Sequence, residues 1–145
     1  MQAGLVYIAG TAGKMVVSSA ITPIVNSTIS LITSLRNTGA QVTTLEDTIN
    51  KYDIPCTLQT IEATTVALKC DKEPLKTAAS NVVSAVQQIH QLLTRIADIT
   101  ASHRAGYISR WRQLDIQHEI DQLEMYMDIL SKRFKLMCDI RSVVD

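Results

Sequence analysis

Residues 116–140 read IQHEIDQLEMYMDILSKRFKLMCDI. Within them Ile116, Ile120, Leu123, Met127, Leu130, Phe134 and Met137 follow one another at alternating steps of four and three. That spacing keeps one stripe of a helix on its neighbours, and a strand with its period of two would scatter it over both faces. The stripe is expected to be a core or oligomer seam. A second row, Met125, Ile129, Leu136 and Ile140, widens the apolar face, which predicts packing against at least two neighbours. This last helix is expected to begin near Tyr107.

Working back from it, Leu75, Ala79, Val82, Val86, Ile89, Leu93, Ile96 and Thr100 step by three or four. They predict a long core-facing helix, entered through the charged corner Asp71 to Pro74 and ended at Gly106. Earlier, Thr44-Leu45-Glu46-Asp47 resembles a capping box with Asp where Glu is usual. It opens a helix that Pro55 must break or kink between Tyr52 and Cys56, and that resumes through Leu58, Ile61, Thr65 and Leu68 to about Cys70. Thr22-Pro23 reads as an N-cap and first-turn pair for a helix running along Ile21, Ile24 or Val25, Leu31 or Ile32, and Leu35 to about Asn37, with Gly39 as its stop. From Ala3 to Ser19 the chain is apolar nearly all round a helix: Leu5, Ile8, Ala12 and Val16 lie at helical spacing, with Tyr7, Gly10, Gly13 and Val17 on other faces. The expected fold is all-α, an antiparallel four-helix bundle with an apolar glycine-rich N-terminal helix and a kinked or split second helix, as one domain over residues 1–145.

Composition agrees with this. A chain of 145 residues suits one core, and 46% hydrophobic with only 4% aromatic residues makes that core aliphatic. Fourteen basic and fourteen acidic side chains cancel, which removes a whole-chain electrostatic case for nucleic acid as a partner. Cys56, Cys70 and Cys138 are odd in number and lack CxxC spacing, which argues against a disulfide framework and for a reducing, cytoplasmic compartment.

The charges are unevenly placed. Up to Leu45 only Lys14 and Arg36 are charged, so an apolar head precedes a charged body. Met15 to Leu35 is uncharged over 21 residues, nine of them Ser, Thr or Asn, with Pro23 among them. A helix of that length would nearly cross a hydrocarbon layer of about 30 Å, but its polarity argues against a constitutive span. A signal peptide is equally weak, because no basic start leads into a clean apolar run. A segment that enters a bilayer conditionally remains.

Several residue sets bear groups capable of chemistry. His90, His103 and His118 with the three cysteines hold the atoms of a zinc site, yet no pair sits at a compact ligand spacing, so buried thiols and surface imidazoles explain them better. Glu119, Asp121, Glu124 and Asp128 are candidate acid–base carboxylates that a solvated helix face explains. Gly10-Thr11-Ala12-Gly13-Lys14-Met15 lacks half of a phosphate loop and the metal-binding hydroxyl. No catalytic residue, cofactor or metal is therefore expected. Arg104, Arg110 and Arg112 with Trp111, beside His103 and Tyr107, would suit lipid headgroups or phosphate, although loop charges around an aromatic plug explain them too. Lys132, Arg133 and Lys135 near a helix C-terminus follow from the macrodipole.

The start Gly4-Leu5-Val6-Tyr7-Ile8-Ala9-Gly10-Thr11-Ala12-Gly13, followed by a bundle that ends in Glu119-Ile120-Asp121-Gln122-Leu123 to Phe134-Lys135-Leu136, resembles the HeLo-type cell-death domains of fungi. The layout is similar to the N-terminal four-helix bundle of the mixed-lineage kinase domain-like pseudokinases of animals and plants. The resemblance covers essentially the whole chain and rests on helix layout. It implies the N-terminal part of a larger signalling protein, released or clustered by a downstream regulatory or sensor domain, which self-associates, moves to the membrane on activation and permeabilises it. The first helix would insert through Leu5, Ile8, Ala9, Gly10, Gly13, Val16 and Val17, with anionic lipids as partners. The competing expectation is an adaptor that recruits protein partners and touches no membrane.

Overall fold

The computed structural model describes residues 14–37, 43–68, 72–106 and 115–144. Of these, 94% are helical and none is in a strand. The helical segments are α1 (Lys14–Asn37), α2 (Thr43–Tyr52), α3 (Ile54–Ala67), α4 (Glu73–Ala105) and α5 (Gln117–Val144). Segments α2 and α3 are two halves of one bent helix, which makes four helices.

The bend falls in the expected window and has a local cause. Pro55 has no N–H to extend the ladder of α2, but in the first turn of α3 that N–H would be unpaired in any case. Asp53 joins the two halves at φ 46° and ψ 55°, a left-handed conformation that Asp tolerates better than most residues. Its carbonyl accepts from the Thr57 N–H at 2.9 Å, and its own N–H donates to the Asn50 carbonyl at 3.1 Å. Both backbone groups of Asp53 are therefore paired at the turn.

Pro23 behaves differently from the expectation. It lies inside α1, which runs unbroken through the boundary expected between Ser19 and Thr22. Ile21, Val25, Thr28, Ile32 and Leu35 are buried at steps of four, three, four and three, while Pro23 is exposed. An interior proline costs about 3 kcal/mol relative to alanine. Burying the four aliphatic side chains of this stripe is worth about 1.5–3 kcal/mol each, so the stripe wins. Of the separate helix expected over Ala3 to Ser19, residues 1–13 lie outside the described residues and Lys14 to Ser19 belong to α1.

Helix α4 starts and stops as expected: Pro74 sits in its first turn, and the Gly106 N–H closes its end on the Ser102 carbonyl at 3.0 Å. Helix α5 begins at Gln117, with Asp115 and Ile116 outside it, and not near Tyr107. The Asp115 carboxylate accepts from the Gln117 N–H at 3.2 Å, and the Ile116 carbonyl from the Ile120 N–H at 2.9 Å. A short acid bonded to the backbone just ahead favours a cap over a helix interior.

Helix α1 packs against α4 and α3, α4 against α5, and α2 against α5. The core gathers Ile49 of α2, Ile54, Leu58 and Ile61 of α3, Leu75, Ile89, Leu93 and Ile96 of α4, and the α5 stripe. Ile116, Ile120, Leu123, Met127, Leu130 and Met137 are buried, and Phe134 is half-buried against them. Helix α5 does meet two neighbours, but of its second row only Ile140 packs against the core. Met125 and Leu136 are 49% and 53% exposed, and Ile129 and Ile140 are half-buried. The neighbours α4 and α2 flank the inner stripe, and at 100° per residue the second row points away from it.

Candidate functional site

Leu5, Ile8, Ala9, Gly10 and Gly13 lie outside the described residues, as do Arg110, Trp111 and Arg112. Val16 and Val17 are in the first turns of α1. Arg104 is exposed in the last turn of α4, where a positive charge complements the helix dipole. The seam residues Ile120, Leu123, Met127, Leu130 and Met137 are spent on the protein's own core. They leave no room for the alternative of an oligomer seam on that side. Among the described residues no helix is long and apolar enough to cross a membrane, α1 included. No three or more of the described His, Cys, Asp and Glu residues converge as metal ligands would.

The carboxylates of α5 are less uniformly solvated than expected. Glu119 is buried at 7% exposure, with Arg95 Nη2 of α4 at 3.8 Å from its Oε2, and its place in the first turn suits a negative charge. Asp121 accepts from the Gln117 amide at 2.8 Å. Glu124 accepts from Lys51 Nζ at 3.4 Å across to α2. Each is held to a neighbour.

Around Lys51 the end of α2 is fastened onto α5. Lys51 Nζ stands 5.3 Å from the centre of the Tyr52 ring, within reach of a cation–π contact. Burial pushes the Tyr52 phenol above its ordinary value. The nearby charges of Asp128 and Glu124 and a hydrogen bond to Asp128 push the same way, against Lys51. A phenol held protonated beside a carboxylate is a hydrogen-bond donor and not a nucleophile. This cluster pins two helices. Across the same end of the molecule Arg36 of α1 reaches Glu46 at 3.2 Å and Asn50 Oδ1 at 3.1 Å, both on α2.

On another side Asn26, Ser27, Ser30 and Leu31 of α1 face His90 and Thr94 of α4 across an open notch. Buried Thr28 donates its hydroxyl to the Ile24 carbonyl at 2.7 Å and stands 3.3 Å from His90 Nδ1. The hydroxyl proton is directed to the Ile24 carbonyl, and the imidazole lies within hydrogen-bond reach of the hydroxyl oxygen. Among the described residues no carboxylate lines the notch to orient that imidazole for general-base work. What it does is satisfy the polar member of an otherwise aliphatic stripe. Thr28 at an apolar position of that stripe was the sequence signal for a partner; His90 lies 62 residues away, which no local pattern connects.

The remaining feature of the surface is apolar. Val66, Met125, Leu136 and Val143 are the exposed large hydrophobic residues among those described, and three of the four lie on α5. No family model matches the chain, and neither a curated protein nor a solved structure matches it.

Proposed function

We propose that this chain is a non-enzymatic signalling domain of the cell-death type, a helical bundle that self-associates and, once clustered, permeabilises an anionic membrane through its N-terminal segment. The observation that carries the reading is the partition of charge: a head with only Lys14 and Arg36 up to Leu45, ahead of a body that holds every acid. An antiparallel bundle underlies it. Arg95 pairs with Glu119 and Arg133 donates to the Asn81 carbonyl, so as the residue number falls along α4 it rises along α5, which supports opposite directions for the two helices.

In this reading Leu5, Ile8, Val16 and Val17 supply apolar surface to lipid, while Ala9, Gly10 and Gly13 let inserted helices approach closely. Arg104, with Arg110, Trp111 and Arg112, meets the headgroups. Because the described core residues begin at Ile21, deletion of residues 1–13 removes none of them. The test is dye release from anionic liposomes by the intact chain and by that deletion, each clustered by a fused oligomerising module. Release by the intact chain and its loss on deletion support the reading.

The adaptor reading is favoured by a different observation, the exposure of Met125 and Leu136 on a helix whose inner face is already satisfied. An intact, clustered chain that releases no dye assigns the function to that surface.

A further inference from the structure

Helix α5 carries two apolar stripes, and only one is used by the bundle. On the outer side Ile129, Leu136 and Val143 recur every seven residues, with Met125 four residues ahead of Ile129. Met125, Leu136 and Val143 are 49%, 53% and 85% exposed. A seven-residue repeat is what a second helix would read, and the positions between, Lys132 and Asp139, are both exposed and charged. Charge along the helix is also divided. From Asp115 to Asp128 there are five acids and no Lys or Arg, and Lys132, Arg133, Lys135 and Arg141 follow.

We infer that a second copy of this chain docks on this outer stripe, α5 against α5 in antiparallel orientation. In a two-fold antiparallel pair, Met125 of one copy meets Leu136 of the other, Ile129 covers the stem of Lys132, and Asp128 faces Lys135, each contact made twice. The acidic half of each helix then lies on the basic half of its mate. A parallel pair would set Lys132 on Lys132 and Asp139 on Asp139, like charge on like in the middle of the seam. Arg133 does not enter this argument, since it already donates to the Asn81 carbonyl at 3.0 Å. The stripe is an isologous surface of the kind that closes into dimers, and it leaves the opposite face of α5 in its own core.

The inference deepens the reading of the chain as a self-associating bundle and rests on it, so its test contains no membrane. Sedimentation of the purified chain over a range of concentrations is expected to show a monomer–dimer equilibrium. Leu136→Glu is expected to abolish the dimer while leaving the helical content and melting of the monomer intact, because Leu136 is half exposed. Because Asp128 also accepts from the Tyr52 phenol, the exchange is made in a Tyr52→Phe background where that bond is already absent; there Asp128→Lys and Lys135→Asp, both exposed sites, should each weaken dimerisation about tenfold, and the double exchange in one chain should restore it. A chain that stays monomeric throughout, or a dimer indifferent to Leu136→Glu, overturns the docking surface. A double exchange that fails to restore the dimer overturns the antiparallel register. A dimer with the expected charge exchange but no dye release leaves this surface standing and removes the membrane function alone.

Discussion

Replacing Pro23 by alanine is expected to stabilise the protein. Pro23 lies inside α1, where it has no N–H to offer the Ser19 carbonyl, and its side chain is exposed. In a helix interior proline is about 3 kcal/mol less favourable than alanine. The exchange also returns freedom to the unfolded chain, which takes back about 0.4–1 kcal/mol. Because the ring is on the outer side, no core contact is forfeited. A net gain of about 2 kcal/mol follows, or about 6 °C in melting temperature for a chain of this size. The contrast with the sequence reading is sharp. Were Pro23 the first residue of a helix, its missing N–H would be unpaired anyway and its fixed φ would help, so alanine would be neutral or harmful. Urea unfolding followed by far-ultraviolet circular dichroism measures the difference as a shift in midpoint at constant slope. An unchanged or lowered midpoint refutes the reasoning and restores the break before Pro23.

Leu130 is fully buried, so Leu130→Asp is expected to abolish the cooperative melt, since a charge in an aliphatic core costs several kcal/mol; a melt like the parent's would place that side chain elsewhere. The hydroxyls of Thr65 and Thr100 are buried without a hydrogen-bond partner among the described residues, and Thr65→Val and Thr100→Val are each expected to raise stability by about 1 kcal/mol in the same urea assay, a loss in either showing that its hydroxyl is engaged. The raised pKa of Tyr52, caused first by burial and then by Asp128, has a definite sign. Above about pH 10 the unfolded chain releases the phenolic proton while the folded chain keeps it, so this group's contribution to stability is complete below that pH and is lost as pH rises towards the folded pKa. Tyr52→Phe should flatten the alkaline fall in the urea midpoint, and superimposable pH profiles for the two proteins would rule the shift out.

Features made by neighbours along the chain were legible without coordinates. The inner stripe of α5, the long stripe of α4, the bend forced by Pro55 and the stop at Gly106 each follow from side-chain period or from an atom proline lacks, and these act within one or two turns. Pro23 departs from its local pattern because a preference for a helix start is worth less than the buried stripe from Ile21 to Leu35, and the value of that stripe comes from α3 and α4. Thr28 with His90, and Tyr52 with Asp128, join residues far apart in the chain, so only the packing of α1 on α4 and of α2 on α5 decided them. The second row of α5 shows the division most clearly. Its spacing states that Met125, Ile129 and Leu136 share a face, because 3.6 residues per turn is a property of the chain. Whether a neighbour covers that face depends on where α4 and α2 run, and they run on the other side.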